Sequence, residues 1–83
     1  MSYRPWLEEH VLRQLPGLPA EALDTLVRAL SRICEDPRDR TFSVPLSADG
    51  RERLAELDDR GFIEVTIDEP AGLIRVFRLV WTG

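Results

Sequence analysis

The 83-residue chain has no lysine and no asparagine, one cysteine and one histidine, and no long uninterrupted apolar stretch. Each absence excludes something. A single Cys34 rules out an internal disulfide, and with His10 as the only imidazole there is no Cys/His cluster of zinc spacing. No metal is expected, and lone thiols suit a reducing cytosol. No stretch is long and apolar enough for a membrane span, and none follows Met1 in the manner of a signal peptide, so a soluble, cytoplasmic protein is expected. There is no Gly-rich phosphate loop and no nucleophile with a base beside it, so no cofactor is expected either. Because lysine is absent, all eleven cations are arginine, the usage of a GC-rich coding sequence.

The charge that is present runs against a nucleic-acid binder. Fifteen carboxylates outweigh the arginines to give −4, whereas holding phosphates needs an excess of cations. Arg38, Arg40, Arg51, Arg53 and Arg60 fall in one stretch, but they alternate with Asp36, Asp39, Asp49, Glu52, Glu56, Asp58 and Asp59, the pattern of a solvated mixed-charge surface. The length allows one domain, 1–83. A domain this small buries only about 60% of its unfolded surface, so it stands to gain stability from a partner.

The most informative segment is the last third. Two runs rich in β-branched and aromatic residues, 61–67 and 73–81, flank Asp68-Glu69-Pro70-Ala71-Gly72, the form of a β-hairpin with a medium loop. Period two places Ile63, Val65 and Ile67 with Ile74, Val76 and Val80 on the core face. It leaves Phe62, Glu64 and Thr66 with Leu73, Arg75, Phe77, Leu79 and Trp81 on the other. An outer face carrying Phe62, Phe77, Leu79 and Trp81 is too apolar for open water and reads as a candidate partner-binding surface.

Upstream, residues 6–15 read as a helix after Pro5, with Leu7, Val11 and Leu15 at four-residue spacing, and a short strand is possible over 1–4. Pro16-Gly17-Leu18-Pro19 is a turn. A longer helix runs from Pro19 to about Cys34, with Leu23, Leu26, Val27, Leu30, Ile33 and Cys34 on one apolar stripe. Cys34 belongs to that stripe as a structural thiol. Pro37 ends the helix because a residue before proline avoids the α region. Residues 41–44 alternate and read as a short strand or an ordered loop. Local rules read 49–60 as a helix: Asp49 with Glu52 makes a capping pattern, Leu54 and Leu57 are spaced by three, and Gly61 suits the position after a helix end.

Leu18-Pro19-x-Glu21-Ala22 opening the long helix, Ile33-Cys34-Glu35-Asp36-Pro37 closing it, and the terminal hairpin with its Asp68-Glu69 turn together resemble the RelE/ParE toxin superfamily. The resemblance implies an α+β fold, an N-terminal helical hairpin packed on a small antiparallel sheet that ends in the C-terminal β-hairpin. It makes 53–57 a strand, against local propensity. It implies a toxin-like component of a bacterial toxin–antitoxin pair, or a degenerate relative that keeps partner binding, with an acidic or amphipathic antitoxin segment or a second copy as the partner. In the family's ribonucleases, Lys/Arg stabilise the charge at the scissile phosphate, with Tyr or His as acid or base. Here Phe62 and Ile63 occupy the place of the family's Tyr-Arg-Val run, which leaves Arg53, Arg75 and Arg78 as the candidate phosphate or target contacts and no evident acid/base pair. For these arginines the alternative is pairing with Glu64 or Glu56 across the sheet. Residues 54–63 are also similar to the recognition helix and wing of winged-helix domains, binding DNA or protein, and a stand-alone interaction module is a third reading. The state of 49–60, helix or strand, separates the first two.

Overall fold

A computed structural model describes residues 2–82. Strand β1 (Arg4–Leu7) leads into a single helical turn, α1 (Glu9–Leu12), a 3-10 turn (Leu15–Gly17) and the long helix α2 (Ala20–Glu35). Strands β2 (Ser43–Pro45), β3 (Glu52–Leu57), β4 (Gly61–Asp68) and β5 (Leu73–Trp81) follow. They form one five-stranded sheet in the order β1-β5-β4-β3-β2, with β1 parallel to β5 and every other pair antiparallel. The expected α+β architecture of two helices on a sheet is present, and the sheet is mixed. No helix among the described residues is long and apolar enough to cross a membrane.

The core lies between α2 and one face of the sheet. Leu26, Ala29 and Ile33 of α2 meet Ala55 and Leu57 of β3, Ile63, Val65 and Ile67 of β4, and Ile74 and Val76 of β5. Fully burying each Ile or Val contributes about 1.5–3 kcal/mol, so this layer holds the sheet to the helix. The buried stripe of α2 is rotated from the one that spacing predicts, with Ala22, Thr25 and Ala29 buried in place of Leu23, Val27 and Leu30. Small residues Ala22, Thr25 and Ala29 let the helix approach the sheet closely, and Val27 is left exposed. Cys34 is buried at the end of the stripe, and burial pushes its thiol pKa up, so it is an inert structural thiol.

Three expectations are corrected. The helix expected over 6–15 is only one turn, because Arg4–Leu7 is captured as a strand beside β5: Arg4 N–H donates to Gly72 O at 3.0 Å and Glu8 N–H to Val76 O at 3.0 Å. Pro5 is tolerated there because β1 is an edge strand. Residues 52–57 are a strand, which removes the winged-helix architecture. The D-x-x-E pattern proves to be a turn between strands: Asp49 Oδ1 accepts from Ser47 Oγ (2.8 Å) and Arg51 N–H (3.0 Å), and Gly50 takes φ +72°.

The third correction concerns the last strand. Glu64 pairs with Arg78 but the next residue, Val65, pairs with Val76, so Phe77 is the extra residue of a β-bulge. The bulge inverts the side-chain alternation beyond it. Leu79 turns into the core at 4% exposure and Trp81 packs against that core, while Val80 pairs with Phe62 on the outer face. Leu79 and Trp81 are therefore not on the exposed face where period two put them, and Val80 is. Past the end of β1, the outer edge of β5 is closed by side chains: His10 Nε2 donates to Phe77 O at 2.6 Å and Gln14 Nε2 to Leu79 O at 2.9 Å.

Candidate functional site: the open face of the sheet

The face of the sheet turned away from α2 has no covering layer among the described residues. Strand alternation and register bring Arg4 and Trp6 (β1), Arg75, Arg78 and Val80 (β5), Phe62, Glu64, Thr66 and Asp68 (β4) and Glu52, Leu54 and Glu56 (β3) onto it. Its apolar content is Trp6, 53% exposed, Val44, 51% exposed, and the half-buried Leu54, Phe62, Leu73 and Val80. The half-buried Phe77 marks the bulge.

Both candidate arginines of β5 are engaged. Arg75 Nε donates to Asp68 Oδ2 at 3.1 Å, and its guanidinium lies 5.9 Å from the Trp6 ring centre. Arg78 stands 3.8 Å from Glu64 Oε2 and 5.7 Å from the Phe62 ring centre. Exposed pairs of this kind contribute only about 0–1 kcal/mol to stability. Their effect on charge is larger: three arginines stand against four carboxylates on this face, a balance of −1. Arg75 and Arg78 are neutralised by neighbours, and Glu52 and Glu56 on β3 make no ion pair among the described residues. The pairing alternative considered for Arg78 is realised with Glu64, and Arg75 takes Asp68 in place of the expected Glu64 or Glu56.

Arg53 is somewhere else. It shares the inward parity of Ala55 and Leu57, is 3% exposed, and sits at the corner where β2 turns into β3. Its Nε donates to Ser43 Oγ at 2.7 Å, Nη2 to Ser43 O at 3.1 Å and Nη1 to Gly50 O at 3.2 Å. Burial, and then the positive charges of Arg38 and Arg40, pull its pKa below the ordinary arginine value. The structure thus brings together Arg75 and Arg78 but not Arg53. Sequence reasoning missed Trp6, Glu52 and Glu56 as members of the open face. The signal for the two glutamates was their period-two spacing around Leu54, which becomes readable only once the segment is taken as a strand.

The loop between α2 and β3 is pinned by two carboxylates. Asp39 Oδ1 accepts from Thr41 N–H (2.9 Å) and Thr41 Oγ1 (2.7 Å), and Asp49 is held as described. Side-chain and backbone hydrogen bonds from Thr41 hold the Asp39 carboxyl below its ordinary 3.8, and those from Arg51 and Ser47 do the same for Asp49. A carboxylate whose folded pKa is depressed contributes stability that is present above its unfolded pKa and lost as pH falls through the folded one. On acidification from about pH 5 to about 2, the Thr41 and Arg51 amide resonances are expected to lose their hydrogen-bonded shifts together, before the core amides of β4 change. Retention of those two shifts at the acid end would remove the carboxylates' role in the loop.

No protein-family model matches the chain, and no curated protein matches it. Solved structures do. The RelE–RelB complex of the archaeon Pyrococcus horikoshii OT3 superposes with TM-score 0.81 at 20% identity, over 100% of this chain and 98% of that one. The toxin–antitoxin complex RelBE2 of Mycobacterium tuberculosis gives 0.78 at 17%, over 98% and 99%. A double arginine-to-alanine mutant of the E. coli toxin RelE in the free state gives 0.80 at 16%, over 95% and 82%. The chain has the fold of RelE toxins.

Proposed function

We propose that the protein is the toxin-like component of a bacterial toxin–antitoxin pair, or a degenerate relative retaining partner binding, and that it acts in the cytoplasm by binding rather than by cutting RNA. The fold supports the first part, since similar structures are toxins solved with their RelB antitoxins. The observation that carries the second is the charge of the open face. Stabilising a phosphoryl transition state requires several uncompensated cations preorganised at the scissile group, and here Arg75 and Arg78 are spent on Asp68 and Glu64. That leaves Arg4 on the edge strand as the one arginine of this face without an ion pair among the described residues. A face of Leu54, Phe62, Val80 and Trp6 edged by unpaired Glu52 and Glu56 fits an amphipathic segment with basic residues along its apolar stripe. The acidic segment considered from sequence fits it poorly.

The test is expression of the protein alone in a bacterial host, scored by growth. Arrest is expected, persisting in Arg75→Ala/Arg78→Ala and abolished in the open-face variant Phe62→Asp. Growth without arrest would overturn the toxin assignment, leaving the degenerate relative or the stand-alone module. Relief of arrest by the arginine pair would overturn the binding mechanism in favour of phosphate chemistry.

A further inference from the structure

The guanidinium of Arg53 is buried, yet no carboxylate lies within ion-pair distance of it among the described residues. Buried charges are ordinarily paired. Charges of like sign gather beside it: Arg38, Arg40 and Arg53 line one cavity of about 390 Å³ at the 47–50 turn, with Asp49 the one carboxylate in its lining. Arg53 spends three N–H groups on Ser43 and Gly50, and an arginine has five. Arg38 Nη1 donates to Asp49 O at 3.1 Å, and Arg40 makes no ion pair among the described residues.

The carboxylates nearby do not close the cluster. Asp49 is committed to Ser47 and Arg51, Glu69 pairs with Arg38 Nη2 only at 3.8 Å, and Asp36 offsets Arg53 only weakly against the two arginines. Gly50 shapes the space. A Cβ there would lie 2.8 Å from Arg38 Nη1 and 3.5 Å from Arg53 Nη1, so the two guanidinium groups converge beside Gly50, whose φ of +72° is what favours glycine. Stapling the turn through the Asp49 and Gly50 carbonyls explains why donors are present. It does not explain why three full charges were gathered, since each repels the others.

We infer that Arg38, Arg40 and Arg53 form a binding pocket for one phosphate group, on the helix-covered side of the β2–β3 corner and separate from the open face. A phosphate offers several charged oxygens to three planar donors, which is the geometry guanidinium forks recognise. The source of that phosphate is a free ion or the backbone of a nucleic acid. This site stands whether or not the open face binds an antitoxin.

The experiment is a titration of the whole protein with inorganic phosphate at constant ionic strength, followed by the Arg53 Nε–H and Gly50 amide resonances. Saturable shifts of both are expected, with affinity on the order of millimolar. Arg40→Gln and Arg38→Gln, at exposed positions, should each weaken binding roughly tenfold, the loss of one charge-assisted contact. Gly50→Ala, which pushes the flexible end of Arg38 aside, should weaken it comparably. An oligoribonucleotide that competes at the same resonances assigns a nucleic-acid backbone, and phosphate binding without competition assigns a free ion. No saturable shift at Arg53, an equal response to chloride, or unchanged affinity in Arg40→Gln would overturn the site.

Discussion

Gly61→Ala is expected to cost about 3 kcal/mol or more, which for a domain this small lowers the melting temperature by roughly 15 °C. Gly61 opens β4 directly opposite Trp81. A Cβ built there would penetrate the Val80 carbonyl oxygen and press on the Val80 carbonyl carbon and Trp81 Cα at 3.0 Å. These are backbone atoms in a paired strand, so the methyl cannot be accommodated by rotating a side chain. The ladder must open at the end where Thr82 N–H and Oγ1 fasten to Arg60 O. Total stability for a chain of this length is roughly 4–12 kcal/mol, so the loss is a large share of it. Gly72→Ala is the control: it has open space around the added methyl but φ +68°, and its cost should be near 1 kcal/mol. Denaturant unfolding of the two variants checks the difference, and equal losses would mean that the β4–β5 end yields where the structure has it closed.

That glycine also shows where sequence rules stop. Read locally, Gly61 follows a capped, leucine-spaced segment and belongs after a helix end. In the structure its φ is not in the left-handed region at all, and its need is steric, imposed by a strand twenty residues later. The same competition decided 52–57: nothing in Glu-Arg-Leu-Ala-Glu-Leu favours a strand, but pairing to both β4 and β2 satisfies its backbone on two sides. The hairpin was legible because β-branched density, alternation and a Pro/Gly loop agreed. Its far half was not, because a bulge adds one residue and leaves no composition signal at Phe77, and beyond it inward and outward exchange. The error therefore fell on Leu79, Val80 and Trp81 together while Ile63, Val65, Ile67, Ile74 and Val76 were placed in the core as expected.

The candidate site was legible to the same depth. Arg75 and Phe62 could be assigned to the outer face because they lie before the bulge or on the strand without one, whereas Arg78, beyond it, shares the parity of Ile74 and Val76 in the sequence and reaches that face only through the bulge. Their neutralisation could not, since Asp68 reaches Arg75 from the hairpin end and Trp6 arrives from the opposite terminus through a parallel pairing no local pattern announces. Arg53 looked like a companion of the other two only while its strand was undefined. Once 52–57 pairs as it does, parity sends Arg53 inward and Glu52 and Glu56 outward, so the residue that was to bring a charge to the open face is replaced there by two of opposite sign.

That replacement makes the open face the place where a small change should have a large effect. Glu52→Lys/Glu56→Lys turns its balance from −1 to +3 at two exposed positions that touch neither the core nor the Arg75 and Arg78 pairs. Made in the Arg40→Gln background, so that the β2–β3 corner contributes little, the double substitution is expected to raise affinity for single-stranded RNA roughly fifty-fold at low salt. That is about 1.2 kcal/mol for each carboxylate exchanged for a cation. The gain should be salt-dependent, adding about −0.7 to the slope of log K against log salt for each phosphate newly contacted. Stability should change little, because Lys substitutes on the solvent side of β3. Fluorescence anisotropy with a labelled oligoribonucleotide across a salt series measures both quantities. If affinity does not rise, the face lacks the shape to follow a nucleic-acid backbone, and charge is not what keeps RNA from it. If it rises with the expected slope, the fold presents a competent surface whose acidic residues alone keep RNA away.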